Sequence, residues 1–267
     1  MLTKCETWAK LVQLNIVQGE MPAGEWDLSG KNLSNIDLNE ADLMGVNMIG
    51  ADLSGSSLVG AYLNHANLNS ACLVRVNMVG AVFIVANIED ADLSGANLSN
   101  GEFGMAKLGR ANLSNANLSG AYLIETDLHE ATLNGAILYK AILSGANLSK
   151  ADLSETDLSE TDFNIANLKG ANLTKANLFR ADLNAVGLQG ARLCDANLTE
   201  ANLNEANFYG AILQGATFQE ANLKGVRKLT IEQVREAKTL FAARFGPKLM
   251  KQLQAHYPHL LVKQDNC

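Results

Sequence analysis

Proline, cysteine, histidine and aromatic residues are all scarce in this 267-residue chain, and each scarcity excludes something. The three prolines, Pro22, Pro247 and Pro258, lie near the ends, so nothing in the middle forces a kink or a break. The four cysteines, Cys5, Cys72, Cys194 and Cys267, show no C-x-x-C or similar spacing, which excludes a disulfide framework and a zinc motif. The four histidines, His65, His129, His256 and His259, form no ligand pattern either. No Gly-rich phosphate loop occurs, and no cofactor is implied. No apolar run approaches the roughly 18 residues that cross a bilayer; the longest spans Val79 to Ala86. The N-terminus lacks an apolar stretch followed by a small-residue cleavage site. Asn-Leu-Ser/Thr sequons recur, as at Asn32, Asn112 and Asn147, and a glycosylating compartment would decorate them. A reducing cytoplasm is the simpler setting. The net charge of −7 disfavours nucleic acid and anionic membrane as direct partners.

What is present is a repeat. Every fifth residue from Leu28 to Leu223 gives forty positions, and all are Leu, Met, Phe or Ile. Two residues before each, the 37 positions from Ala41 to Ala221 hold 29 alanines. The other eight are small too: Val46, Ser56, Val76, Gly101, Thr126, Thr156, Thr161 and Val186. The residue between is usually Asn or Asp, and Ala91-Asp92-Leu93-Ser94-Gly95 states the consensus. A period of five suits neither a helix, which repeats at 3.6, nor a plain strand, which repeats at 2. It suits a short extended triplet followed by a turn. The small and large residues point inward, the polar one outward, and Ser-Gly or Ser-Asn turns the chain.

These units resemble the pentapeptide-repeat family, over residues 26–225 without an insertion. The resemblance implies an all-β solenoid, a right-handed quadrilateral β-helix with four repeats per coil. Forty repeats then make about ten coils, a rod of roughly 48 Å at the spacing of paired strands. The resemblance sets the handedness and the number four; period and alternation alone do not.

Short helical segments flank the repeats and are positioned to cover the open ends of the rod. Residues 1–25 read as an N-terminal helical cap, with a helix over 3–18 that turns Cys5, Trp8, Val12 and Leu11 or Ile16 to one side and stops at Gly19. Residues 226–267 read as a C-terminal helical segment. Thr230-Ile231-Glu232-Gln233 has the form of a capping box, with Val234, Ala237, Leu240 and Phe241 at helical spacing behind it. Gly246-Pro247 ends that helix and starts another carrying Leu249, Met250 and Leu253. Lys228–Lys238 resembles the C-terminal capping segment of family members from photosynthetic bacteria.

With no loop to build a cleft, general acid–base chemistry has nowhere to sit, and the chain reads as a non-enzyme. Function falls to the outer walls, which stepping by twenties separates into four faces named by their first centres. The Leu28 and Leu33 faces each carry a net −1, the Leu38 face −4 and the Leu43 face −5. The acidic residues singled out on the latter two are Asp42, Glu102, Glu125, Asp157, Glu160, Asp162, Asp182 and Glu205. The Leu43 face also carries Tyr62, Val82, Ile84, Val85, Met105, Tyr122, Ile124 and Ile142 in successive coils, expected to form one apolar patch. Such a patch is uncommon on a monomer. It points to an interaction module or scaffold that binds a protein partner or itself, with a homodimer as one form. The alternative is an acidic DNA mimic, since some members of the family bind DNA gyrase in place of duplex DNA. Spread-out acids, the apolar patch and a basic C-terminal segment fit that alternative less well.

Overall fold

The computed structural model describes residues 1–24 and 26–263; Cys267, one of the four cysteines, lies outside them. From Asp27 to Asn207, the outward second residue of each repeat bridges in parallel to the residue twenty positions later. Four repeats therefore complete one coil, and each wall is a stack of paired rungs.

One repeat shows how the backbone is satisfied. The Asp92 N–H donates to Ala71 O in the coil before, at 3.0 Å. The Leu93 and Gly95 N–H groups donate to Asn112 O and Ser114 O in the coil after, at 2.7 and 2.9 Å. The Ala96 N–H closes the turn on Leu93 O at 3.0 Å. The remaining donor, Ser94 N–H, goes to Asp92 Oδ1 at 3.0 Å. All five N–H groups of such a unit are paired, which buried or half-buried backbone demands. The polar second residue is thus the acceptor for the one N–H that the backbone of a neighbouring coil does not serve.

Only one residue per side is extended between turns, so the walls are stacks of single bridges rather than the longer extended segments that alternation suggests. Among the described residues the two-residue strands are β1, Asn222–Leu223, and β2, Arg244–Phe245. Inside, the Leu-class and Ala-class columns are buried along the whole rod. The non-Ala members keep their polar atoms satisfied: Ser56, Thr126, Thr156 and Thr161 each donate a hydroxyl to the carbonyl 23 residues earlier. Phe83 and Phe103 stack in the core with centroids 4.9 Å apart and planes 4° from parallel. Gly101 makes that stack possible, because a Cβ there would lie 2.7 Å from the Phe103 ring.

The fifth residue of every repeat forms a corner with positive φ, as the third residue of a type II turn requires. Glycine fills 15 of the forty corners, and 25 other residues adopt the same left-handed conformation.

Both ends are closed by chain that supplies hydrogen bonds. At the start, α1 spans Lys4–Gln13 behind a Thr3/Glu6 capping box. It ends short of residue 18 because Asn15 turns left-handed (φ 57°), with Asn15 N–H on Val12 O and Ile16 N–H on Leu11 O. Thr7 and Leu11 face the rod, whereas Cys5 is exposed. Thr7 Oγ1 accepts the Asp42 N–H at 3.1 Å, and Leu2 N–H donates to Glu40 O at 2.8 Å.

At the other end, α2 spans only Ile231–Val234, behind the Thr230/Gln233 box. Ala237, Leu240 and Phe241 do not continue it. The chain instead runs on as a further coil: Thr239 pairs with Thr217, and β2 pairs with β1. The step has changed from 20 residues to 22, as Asn222 opposite Arg244 shows. The reason is donor supply. The last coil presents carbonyls that need N–H partners, and a helix consumes its own. Lys238 N–H reaches Ala216 O at 2.8 Å, and Gln233 Nε2 reaches Phe208 O and Ala211 O at 2.9 and 2.8 Å. Then α3, Pro247–His256, and the 3-10 turn Pro258–Leu261 bury Leu253 and Leu260 over this end.

Candidate docking face

The Leu43 face differs from the other three in its rungs. At the second position five successive coils carry Tyr62, Val82, Glu102, Tyr122 and Ile142, bridged in that order. None can play the Asn/Asp part, and no other face lacks Asn or Asp over more than two consecutive coils. In their place Ile84 N–H borrows Asn64 Oδ1 from the coil before, at 3.0 Å.

The apolar residues do come together, with two changes to the sequence reading. Val85, Met105, Tyr122 and Ile124 are exposed, while Tyr62, Val82, Ile84 and Ile142 are half-buried beside their neighbours. Glu102, bridged to Val82 and Tyr122, divides the column, so the patch surrounds a carboxylate rather than forming an unbroken apolar strip. Ile165, on the same face and 67% exposed, extends it beyond the residues picked from the sequence.

The corner of this face is distinctive. Of the 25 non-glycine corner residues, the apolar ones are Val85, Met105, Ile165 and Ala185, and all four belong to the Leu43 face. Val85 and Ile165, at φ 58° and 54°, are the β-branched residues among the left-handed positions. A β-branched side chain in that region is strained by about 1–3 kcal/mol. Little burial offsets it, since Val85 is 43% exposed.

Electrostatics separates the faces again. Each of the other three carries corner ion pairs that span one coil. Arg110 Nε holds Asp90 at 2.7 Å on the Leu28 face, Lys175 meets Glu155 at 3.1 Å on the Leu33 face, and Arg180 Nε meets Glu200 at 2.7 Å on the Leu38 face. Lys150 with Glu130 and Lys140 with Glu160 follow the same spacing. Among the described residues no carboxylate of the Leu43 face enters an ion pair. Asp162 accepts from the Ser144 hydroxyl at 2.8 Å, and Asp182 accepts from Asn202 at 2.8 Å. Asp42 Oδ1 caps the Met44 N–H, close under α1. The carboxylates of Glu102, Glu125 and Glu205 have no polar partner among the described residues. Asp157 and Glu160 sit on the adjacent Leu38 face and are engaged, by the Asn177 amide and Lys140 respectively.

His129 stands on the Leu28 face, its Nδ1 3.0 Å from Asp127 Oδ1 and its Nε2 3.1 Å from Arg110, with the ring lying over Gly109. Cys72 and Cys194 are free and half-buried. Among the described residues no group of three or more His, Cys, Asp or Glu could hold a metal ion. No helix among them is long and apolar enough to cross a membrane.

A rod of five-residue units stepping by twenty defines a class, and the chain belongs to the pentapeptide-repeat family. The model of pentapeptide repeats matches residues 27–60, 61–100, 106–145, 146–184 and 188–225. Members of this family form right-handed quadrilateral β-helices. The chain is similar to HetL of the cyanobacterium Nostoc sp. strain PCC 7120, a pentapeptide-repeat protein involved in heterocyst differentiation regulation. The two are 31% identical over 79% of this chain and 87% of HetL, with a TM-score of 0.47. The plasmid-mediated fluoroquinolone resistance protein QnrB1 shares the fold at 18% identity, over 74% of this chain and 95% of its own, with a TM-score of 0.50. Rfr23 of the cyanobacterium Cyanothece 51142 is 42% identical over 32% of this chain and 58% of its own, with a TM-score of 0.21. No curated protein matches the chain.

Proposed function

We propose that the protein is a non-catalytic interaction module of the cytoplasm that presents the Leu43 face to a protein partner. The observation that carries this reading is the unpaired charge of that face beside its exposed apolar residues. On the other faces Asp90, Glu130, Glu155, Glu160 and Glu200 each meet a cation one coil away, whereas Glu102, Glu125 and Glu205 have none among the described residues. A surface whose carboxylates enter no ion pair among the described residues, and which exposes Met105, Tyr122 and Ile124, is suited to contact outside the chain.

Ile84→Glu combined with Ile124→Glu tests it. The variant should lose partner capture, or change sedimentation if the partner is a second copy, with an unchanged circular dichroism spectrum. Unchanged capture and sedimentation would remove the face from consideration. The acidic walls leave the DNA-mimic reading second, and likeness to QnrB1 at this identity bears on the fold alone. Inhibition of gyrase supercoiling at micromolar protein, lost on reversing Glu102 and Glu125 to lysine, would promote it.

A further inference from the structure

We propose that the partner seats a basic amphipathic helix along the corner marked by Val85, Met105, Ile165 and Ala185. This rests on the docking face argued above and specifies its occupant. Three features of the corner point to that chemistry.

The first is what the corner can offer. The N–H groups of Val85, Met105 and Ile165 already donate to Gly104 O, Ile124 O and Asn184 O. The corner's backbone donors are consumed by the coil-to-coil ladder and only its carbonyls stand open, so an added strand, which needs both donors and acceptors from its neighbour, cannot pair sideways. With no backbone donor left, recognition falls mainly to side chains, which suits a partner whose own backbone is internally satisfied, namely a helix.

The second is sign. Glu102 and Glu125 lie beside the apolar corner residues and, among the described residues, have no cation. A second copy would bring two faces of net −5 together, so the complementary occupant carries lysine or arginine. The third is length. Val85 and Ala185 are five coils apart, roughly 24 Å at about 4.8 Å per paired rung. A helix of roughly sixteen residues spans that distance at 1.5 Å per residue.

The experiment displays a library of eighteen-residue helices with leucine fixed on one face and the other face randomised among lysine, arginine, glutamate, glutamine and serine. The full chain is the bait, and the Val85→Gly, Ile165→Gly variant is the counter-selection. Glycine is native to 15 corners, so the variant keeps the fold while removing the two β-branched residues of the edge. Lysine- and arginine-rich helices should be enriched. A synthetic peptide of that sequence should bind the variant at least tenfold more weakly, and bind a Glu102→Gln, Glu125→Gln variant with a flatter salt dependence. Enrichment of acidic or neutral helices, or equal binding to the glycine variant, overturns the proposal while leaving the docking face standing. Self-association of the parent chain that disappears in the glycine variant would make a second copy the occupant. No enrichment together with identical sedimentation of parent and variant would bring down both the helix and the face.

Discussion

The side-chain amide of Asn177 donates to Asp157 Oδ1 at 3.1 Å across one coil. The direction is fixed. Oδ1 of each rung residue already faces the N–H two residues on, so Nδ2 must point toward the preceding coil. An aspartate can therefore begin such a ladder but cannot extend one. The sequence obeys this: Asp is followed twenty residues later by Asn six times, at Asn47, Asn112, Asn147, Asn172, Asn177 and Asn202, each with the bond formed. The reverse order occurs once, at Asn32 and Asp52.

Conservative exchange at the two ends of one rung pair should then be unequal. Asp157→Asn keeps an acceptor for Ser159 and for Asn177, and should change stability by less than about 0.5 kcal/mol. Asn177→Asp removes the donor and sets its carboxylate against that of Asp157; it should cost about 1–2 kcal/mol at neutral pH. Urea titrations of both variants measure this, and equal losses would show the ladder to be directionless.

Gly101→Ala, the commonest residue of that column placed where it is missing, should destabilise. The new Cβ would meet the Phe103 ring at 2.7 Å and Leu98 O at 3.0 Å. Overpacking of this kind costs about 1–3 kcal/mol. Adding Phe103→Leu should recover most of the loss, and a double-mutant cycle reads the coupling. Additive effects would assign the glycine to something other than the ring.

Acid should loosen the rod through carboxylates that hydrogen bonds hold below their ordinary values. The Ser29 hydroxyl and amide lower Asp27, the Ser54 hydroxyl and amide lower Asp52, and the Arg110 guanidinium lowers Asp90, each from an ordinary 3.8. Lys150 lowers Glu130 from 4.5. Their folded values lie below their unfolded ones, so the stabilisation is complete above the unfolded values. It is lost as pH falls through the folded ones. Thermal midpoints should hold down to about pH 5 and decline below it. The Asp90→Asn, Glu130→Gln variant should start lower and decline less; parallel curves would exclude these two groups.

Much of this was legible in the residues. The period located every centre, and alternation placed Ala and Leu inward. The phase, once recognised as belonging to coils of four, assigned each outer residue to its face. Three things were not legible, for separate reasons. Ala237, Leu240 and Phe241 fall at helical spacing, yet the open carbonyls of the last coil claim that segment, and an edge exists only in three dimensions. Thr7 looks like a polar interruption of an apolar helix face until Asp42 supplies the N–H that its hydroxyl accepts. The corner of Val85 and Ile165 was hidden because its signal is conformational: an isoleucine is unremarkable in a sequence, and notable only with φ above zero.

The fixed step of twenty residues also sets the terms on which this molecule can change its length. Gaining or losing one coil leaves every wall aligned above and below the scar. Gaining a single five-residue unit would rotate everything downstream by a quarter turn, moving Ile165 and Ala185 off the edge shared with Val85 and Met105 while leaving the core intact. The rod would still fold, and its composite surface would be cut in two. Viable length variants of this chain therefore come in whole coils wherever the two halves of that surface must act together.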